Sequence, residues 1–371
     1  MIELKEICKV QCGFAFDSKK FTEDSSYYPL IRIRDVKRGF TQTYYTGEFS
    51  SEYIVHKGDL LVGMDGEFNI ARWNSDDALL NQRVCRIITN NNTNEEYLRF
   101  YLKRTLKLIE SKTSFVTVKH LSAKELNSLK LNLPCIEDQQ RISKQLSTLE
   151  LMIRKNKQVL ELLDELVKAR FVEMFGDVQD AKKRGGQQLK DICNTVAGGT
   201  PSTKHVEYYN GTIPWISTVS LGPNYIDGTT AKAFITQEAV DSSSTKIIPS
   251  GSILFGTRVG VGKSSINQVE MCTNQDIVAI IDLDVSKYNK LYIKYVLDTY
   301  QPYFDSIKKG ATILGISSDD LKNIYVPDAS LYEQNRFEKF VKQIDKSRSR
   351  IQKSLEASQE LFDSLMQEYF G

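Results

Sequence analysis

The sequence predicts a mixed α/β (α+β) protein in which two similar globular domains are separated by two long antiparallel helices that form a coiled-coil spacer. Three observations predict this fold class. The chain of 371 residues repeats itself, short β-branched segments recur in both halves, and each half ends in a long segment with apolar residues at coiled-coil spacing. The predicted boundaries are 1–135 for domain 1, 136–177 for the first long helix, 178–188 for a linker, 189–328 for domain 2 and 329–371 for the second long helix.

The internal repeat is visible as matching segments that occur in the same order in both halves. They are Leu4–Cys8 with Leu189–Cys193, Gly58–Gly63 with Gly251–Gly256, Asn81-Gln82 with Asn274-Gln275, and Gln139–Arg141 with Gln334–Arg336. The offset between partners changes only slightly along the chain, which indicates loop insertions within one repeated fold. A repeated unit predicts a molecule that contacts two similar targets at once.

The globular halves contain short β-branched and apolar runs bounded by Gly, Asp or Asn, which is typical of strands. The predicted strands include Leu30–Ile33, Asp59–Val62, Arg83–Ile88, Ser252–Phe255 and Asp276–Ile281. Helices are predicted near Tyr97–Glu110 and Leu291–Ile307. Each domain then closes with a short strand before its long helix.

Each long helix carries an apolar stripe at alternating spacings of three and four residues, which predicts a helix that packs along another helix. The predicted interface residues are Ile142, Leu146, Leu149, Ile153, Leu160, Leu163 and Val167 in the first helix and Val341, Ile344, Ile351, Leu355 and Phe362 in the second. Because helix one leads into domain 2 and helix two leaves it, pseudo-twofold symmetry makes the pair antiparallel. The polar residues Asn156 and Arg348 interrupt the stripes, where they either fix the register or face solvent. The alternative is that each helix packs on its own domain.

Composition excludes several classes of protein. The formal net charge is only +2, so DNA binding must rest on local patches. No segment is long and apolar enough to span a membrane, and the sequence predicts a cytoplasmic protein. The six cysteines lack CxxC pairs, which favours reduced core residues over zinc ligands.

The catalytic motifs that the sequence suggests are incomplete. Gly256–Ser264 resembles a phosphate-binding loop, but Thr257 stands where the Walker A pattern requires its first glycine. The histidines His56, His120 and His205 have no spacing typical of metal ligands or a catalytic triad. No Asn/Asp-Pro-Pro-Tyr/Phe motif for methyl transfer to an amino group is present. The sequence therefore predicts a binding protein with no catalytic or metal site.

Local groups of basic and amide residues predict contacts to double-stranded DNA. Loop lysines and arginines can bind phosphates together with backbone amides and hydroxyls, and Asn and Gln amides can pair with adenine edges. The candidates in domain 1 are Lys19, Lys20, Arg32, Arg34, Arg72, Asn81, Gln82 and Lys119. Those in domain 2 are Thr200, Ser202, Lys204, Arg258, Lys263, Asn274, Gln275, Lys308 and Lys309. A solvated side chain or a structural amide is the alternative at each position.

Several segments resemble the specificity subunit of type I restriction–modification systems, and the resemblance covers nearly the whole chain. In the second half they are Gly198–Ser202, Ile213–Ser217, Gly256–Arg258 with Val261-Gly262, Thr273–Gln275, and Val326-Pro327 followed by Glu333-Gln334. Domain 1 is similar through Gly13–Phe16, Gly58–Leu61, Met64–Gly66 and Leu80–Gln82, although it lacks the Gly-Gly-Thr-Pro form.

The resemblance implies that each globular domain is a target-recognition domain that reads one half of a bipartite DNA site. It implies that the long helices space the two halves and hold two modification (methyltransferase) subunits, with restriction subunits joining the complex. S-adenosylmethionine, ATP and Mg are expected on those partners and no cofactor in this chain. The alternatives are the recognition chain of a type II-like methyltransferase/nuclease system and a coiled-coil scaffold without DNA specificity.

Overall fold

The computed structural model describes residues 1–112, 121–310 and 312–371, and these residues form two compact units. Unit 1 contains Met1–Gln158 and Gln352–Gly371, and unit 2 contains Val159–Ile351. Each unit therefore combines one globular domain with a segment of each long helix. Within the described ranges, no helix is long and apolar enough to cross a membrane.

Domain 1 alternates short strands with short helices and ends in one longer helix. Its elements are β1 (Ile2–Glu3), α1 (Leu4–Ile7), β2 (Cys8–Cys12), β3 (Phe21–Thr22), β4 (Tyr28–Ile31), α2 (Ile33–Arg38), β5 (Tyr44–Tyr45), β6 (Ile54–Val55), β7 (Leu60–Gly63), β8 (Asn69–Arg72), β9 (Ala78–Leu80), β10 (Val84–Thr89), α3 (Glu95–Lys112), α4 (Ala123–Asn127) and β11 (Lys130–Leu131). The first long helix, α5 (Ile136–Phe175), follows.

Domain 2 has a similar order of elements. They are β12 (Gln187–Gln188), β13 (Asn194–Ala197), β14 (Ile213–Ile216), β15 (Tyr225–Ile226), β16 (Ala233–Ile235), α6 (Gln237–Asp241), β17 (Ile253–Gly256), β18 (Ser264–Asn267), β19 (Cys272–Thr273), β20 (Ile277–Ile281), α7 (Lys290–Thr299), α8 (Gln301–Ile307), α9 (Ser318–Lys322) and β21 (Tyr325–Val326). The second long helix, α10 (Leu331–Phe370), completes the chain.

The two domains share one sheet topology. In domain 1 the strand order is β2-β10-β7-β8, and in domain 2 it is β13-β20-β17-β18 with β15 added at the edge. A parallel pair lies beside each of these sheets, β4 with β9 in domain 1 and β14 with β19 in domain 2. The short strands β1 and β11 pair in domain 1, as do β12 and β21 in domain 2. The predicted repeat of one mixed α/β fold is confirmed.

A buried glutamine fixes the start of each long helix in the same way. The Gln139 amide donates to the Pro134 carbonyl at 2.8 Å and accepts the Asn94 N–H at 2.8 Å. The Gln334 amide donates to the Ala329 carbonyl at 2.9 Å and accepts the Asn289 N–H at 2.7 Å. Because a buried amide must satisfy its hydrogen bonds, no other side chain could replace it without loss. The repeated Gln-containing segment therefore has a structural explanation.

The long helices run antiparallel within each unit, as predicted. In unit 1 the Asn156 amide donates to the Ser354 hydroxyl at 3.2 Å, and the Tyr369 hydroxyl donates to Gln145 at 3.1 Å. Residues nearer the end of α5 thus contact residues nearer the start of α10. In unit 2, Arg348 of α10 forms an ion pair with Asp164 of α5. Both polar residues of the stripes are half-buried and have partners on the facing helix.

Burial along the helices differs from a uniform two-helix interface. Ile142, Leu146, Ile153, Val167, Val341 and Phe362 are buried, whereas Leu149, Leu160, Leu163, Ile344, Ile351 and Leu355 are half-buried. In unit 1, Ile142 and Leu146 share one cluster with Phe100 of α3 and Phe362 of α10. In unit 2, Phe171 lies in one cluster with Phe337 and Tyr292. Each helix end therefore packs on a globular domain as well as on the other helix.

Two predicted elements end earlier than their apolar pattern suggested. The strand predicted over Leu30–Ile33 stops at Ile31, because the Arg32 N–H donates to the Asp35 carboxylate at 2.9 Å and helix α2 begins. The helix predicted over Leu291–Ile307 is divided between α7 and α8 at Tyr300, with Pro302 in the first turn of α8. Proline at this position lacks the N–H that would continue the preceding helix.

Candidate nucleic-acid interface

One end of the domain 2 sheet gathers three of the segments that the sequence singled out. β13 leads into Gly198, Asn274-Gln275 precedes β20, and a hairpin turn joins β17 to β18. The ladder pairs Ala197 with Val278 and Gly256 with Ile277, so the three segments lie at the same end of the sheet. Antiparallel pairing thus brings together residues that are far apart in the sequence.

The β17–β18 turn presents two exposed cations. The Arg258 side chain is 56% exposed and lies 3.8 Å from the Asp276 carboxylate, a distance that leaves its guanidinium largely available. Lys263 is exposed at the other end of the turn. The segment that resembled a phosphate-binding loop is therefore a hairpin turn between antiparallel strands. It does not open a helix, which phosphate loops require.

A second loop packs on this turn. Lys309 and Gly315 exchange backbone hydrogen bonds of 2.9 and 3.0 Å, and the Ile316 N–H donates to the Thr257 carbonyl at 2.8 Å. The exposed Lys309 thereby joins Arg258 and Lys263 at this end of the domain. Lys308 points elsewhere and forms an ion pair with Asp305. The structure thus favours Lys309 over Lys308 as a phosphate contact.

The polar residues of the neighbouring segments have unequal access to a ligand. The Thr200 hydroxyl donates to the side-chain oxygen of the exposed Gln275. Ser202 and Lys204 are exposed in the same loop. Asn274 is only 8% exposed and its amide donates to Asp276 at 3.0 Å. The burial of this amide argues against its predicted contact with a base, because the amide is already bonded within the protein.

A glycine at each equivalent position allows the backbone to cross the asparagine carbonyl. A Cβ atom on Gly13 would lie 2.3 Å from the carbonyl oxygens of Leu80 and Asn81. A Cβ atom on Gly198 would lie 2.2 Å from the carbonyl oxygen of Asn274. Neither space admits a side chain. The repeated Gly and Asn segments therefore have a structural role in both domains, and the exposed neighbouring side chains remain available to a ligand.

Domain 1 presents its cations on a different element. Arg32 follows β4, and β4 pairs Ile31 with Leu80, so Arg32 lies beside Asn81-Gln82. Arg32 and Arg34 are exposed in an open cleft of about 680 Å³. The cleft is also lined by Phe21, Thr22, Glu23, Gln42, Thr43 and Tyr44. Sequence reasoning missed Gln42, which lies two residues before β5, and Tyr44, which begins β5, although side chains two residues apart in extended chain lie on one face.

The remaining domain 1 candidates fall into three groups. Lys19 and Lys20 are exposed in a short turn that leads directly into Phe21 of the cleft. Gln82 is exposed, whereas the half-buried Asn81 accepts the Gln82 N–H at 2.9 Å. Lys119 lies outside the described residues. Lys19, Lys20, Arg32, Arg34 and Gln82 therefore remain as available side chains.

Arg72 is engaged in an ionic network away from this end of the sheet. It pairs with Leu60 in the ladder, whereas the β7–β8 turn begins at Gly63. Its guanidinium forms ion pairs of 2.5 Å with Glu95 and with Glu96, and it donates to the Gly58 carbonyl at 2.7 Å. These contacts argue against the predicted DNA-binding role of Arg72 and favour a structural one.

Arg72→Ala is expected to destabilise the protein by about 1–3 kcal/mol, because it removes the ion-pair partner of Glu95, one of the two ion-pair partners of Glu96, and the donor to the Gly58 carbonyl. Arg34→Ala is the matched control, because Arg34 is exposed and its ion pair with Asp35 is long, at 3.8 Å. Thermal unfolding of both variants provides the measurement. Equal melting temperatures for the two variants would contradict the structural role of Arg72.

Comparison with known proteins identifies the family of this chain. The sequence model of the type I restriction modification DNA specificity domain matches residues 1–165 and again 186–359. The chain belongs to this family. The two matches coincide with the two halves of the repeat, and the resemblance drawn from the motifs is confirmed.

Individual relatives agree with the family. The chain is 41% identical over 168 residues to the type I restriction enzyme EcoBI specificity subunit of Escherichia coli, a match that covers 45% of this chain and 35% of the relative. It is 35% identical over 153 residues to the MjaIX specificity subunit of Methanocaldococcus jannaschii, covering 40% and 35%. The chain thus spans about a third of the length of these two relatives. The EcoR124I/EcoR124II specificity subunit of Escherichia coli matches more broadly, at 25% identity over 332 residues, 85% of this chain and 80% of that protein.

The fold is also that of a specificity subunit. The crystal structure of the type I restriction–modification S subunit from M. genitalium superposes with a TM-score of 0.60 at 14% identity, covering all of this chain and 95% of that one. At this identity the likeness concerns the fold alone. It agrees with the two domains and two long helices described above.

Proposed function

We propose that the chain is the DNA-recognition subunit of a type I restriction–modification complex, with each domain binding one half of a bipartite double-stranded site. The observation that supports this proposal is shared by both domains. At the same end of each sheet, exposed polar and cationic side chains lie beside a glycine that packs against an asparagine carbonyl. Cations position a protein on the phosphates, and amides such as those of Gln82 and Gln275 can read base edges. Neither the type II-like system nor the non-specific scaffold is favoured by the family match.

The two half-sites differ in sequence on this proposal. Domain 2 presents Arg258 and Lys263 from its hairpin turn, whereas the equivalent turn of domain 1 carries Asp65 and Glu67. Asp65 is ion-paired with Arg83 at 3.2 Å and Glu67 with Lys37 at 2.8 Å. Domain 1 instead presents Arg32 and Arg34. Because different elements supply the cations, the two domains approach their targets with different side chains.

Modification subunits are the proposed partners of the long helices. In unit 2, helix α5 exposes Val159, Leu162, Leu166 and Val172, which are 38–52% exposed. Apolar residues at helical spacing on an exposed face mark an interaction surface. We propose that two modification subunits bind along the helices and that restriction subunits complete the assembly, in the cytoplasm. Methyl transfer and cleavage, with S-adenosylmethionine, ATP and Mg, then belong to those partners and not to this chain.

Co-expression with a modification subunit of a type I restriction–modification system tests this function. The chain is expected to copurify with that subunit, and the complex is expected to retain one duplex sequence from a randomised pool. Binding should weaken steeply as salt rises, because phosphate contacts release counterions. A copurified complex that retained every duplex equally would contradict the recognition role.

A further inference from the structure

Two cysteines of domain 1 lie directly opposite each other on neighbouring antiparallel strands. Cys12 ends β2 and Cys85 belongs to β10, and the ladder pairs them residue for residue. Their Sγ atoms are 2.7 Å apart, and the Cys85 thiol also lies 3.3 Å from the Met64 sulfur. Directly opposed residues of antiparallel strands have Cα separations of about 4.5–5.5 Å, which is within the range that a disulfide spans.

The fold does not require this thiol pair. At the equivalent ladder position, domain 2 pairs Ala197 with Val278, each next to the same Gly crossing and Asn turn. The small apolar pair shows that the sheet can be built there without sulfur. The cysteines are therefore an addition specific to domain 1.

The environment of the pair favours reaction at Cys12. Cys12 is half-buried and Cys85 is fully buried, so a reagent reaches Cys12 first. The hydrogen bond from Cys85 lowers the pKa of the Cys12 thiol to about 7. Burial instead raises the pKa of Cys8 and Cys272 to about 11 and that of Cys193 to about 12. Because the thiolate is the nucleophile, Cys12 is the reactive member of this group near neutral pH.

We propose that Cys12 and Cys85 are a redox modification site that closes to a reversible disulfide when a low-molecular-weight disulfide such as oxidised glutathione is present. The Cys12 thiolate attacks one sulfur of the reagent and expels a glutathione thiolate. The Cys85 thiol then loses its proton and attacks the Cys12 sulfur, which releases the second glutathione thiolate. Two protein thiols are oxidised and one glutathione disulfide is reduced to two thiols.

The bond would fasten the two strands at the base of the recognition segments. Gly13 and Phe14 follow Cys12, and their N–H groups donate to the Val84 and Leu80 carbonyls at 3.0 and 2.9 Å. The Gln82 N–H donates to the Phe14 carbonyl at 2.9 Å. A disulfide bond next to these hydrogen bonds would oppose their transient opening. Oxidation is therefore expected to slow amide hydrogen exchange at Gly13, Phe14 and Gln82.

Peptide mapping of the full-length chain after treatment with oxidised glutathione and alkylation of free thiols tests the site. The expected product is a Cys12–Cys85 linked peptide that dithiothreitol opens. Exposed Cys135 is an internal control and should carry a glutathione adduct without a cross-link. Free Cys12 and Cys85 beside a modified Cys135 would overturn the proposal, as would Cys12 that accumulates only as its glutathione adduct.

Two variants separate the chemistry from folding. Cys85→Ala removes the resolving thiol, so Cys12 is expected to hold glutathione as a stable mixed disulfide. Cys12→Ala with Cys85→Val copies the pair of domain 2 and is expected to fold, to form no cross-link and to lose the change in amide exchange. A redox-dependent exchange change in this double variant would show that another site is responsible and overturn the proposal.

Discussion

Phe171→Ala is expected to lower the free energy of unfolding of unit 2 by about 3–5 kcal/mol, the usual cost of removing a fully buried phenylalanine. Its ring has no exposed surface and lies 5.5 Å from the ring of Phe337 in α10 and 5.9 Å from that of Tyr292 in α7. These contacts join both long helices to domain 2. Alanine would leave a cavity where three elements meet.

Leu166→Ala is the matched control for Phe171→Ala, because it shortens an apolar side chain on the same helix where the residue is 47% exposed. Its cost is expected to stay within about 0.5 kcal/mol. Urea denaturation followed by circular dichroism measures both. Similar losses for the two variants would contradict the packing described for unit 2.

Arg258→Ala combined with Lys263→Ala is expected to weaken DNA binding by the assembled complex without preventing assembly. If both side chains bind phosphates, the slope of log affinity against log salt should fall by roughly 2, since each contact contributes about 0.9. If one of them reads a base, the loss is about 1–3 kcal/mol and one position of the site becomes relaxed. Fluorescence anisotropy over a salt series distinguishes these results.

Lys190→Ala with Lys287→Ala is the control for this double variant, because it removes the same charge from the same domain. Lys190 precedes β13 and Lys287 follows β20, and the ladder pairs Asn194 with Ile281 at the end of the sheet away from the hairpin turn. Its affinity and salt slope are expected to remain those of the wild type. Equal weakening by both double variants would mean that the hairpin turn is not the contact.

The repeat and the fold could be predicted because matching residues have the same structural role in each half. Gly13 and Gly198 allow two backbone segments to pass in close contact. Gln139 and Gln334 donate hydrogen bonds to a carbonyl of the loop that precedes each long helix. Such requirements are local, and so they leave the same residue types at matching positions. The antiparallel direction of the long helices followed from the connectivity together with the pseudo-twofold symmetry of the repeat.

The candidate site was less predictable because contacts distant in the sequence decide which side chains are free. Arg72 is occupied by Glu95 and Glu96, and Asn274 by the inward-facing Asp276. Nothing in the spacing of these residues indicates such pairing. Phe171 was not among the predicted interface residues, because the alternating spacing of three and four residues continues from Val167 to position 170 and not to position 171. Where the helix packs on a globular domain, the buried face follows the wider stripe of an ordinary helix.

Sequencing of methylated bases in cells that express the chain with its modification subunit tests the central claim most directly. The account predicts methylation at one two-part motif, with two different specified halves separated by a spacer of fixed length and free sequence. Methylation should disappear when the chain is omitted. A single continuous motif, or methylation that persists without the chain, would contradict recognition of a bipartite site by its two domains.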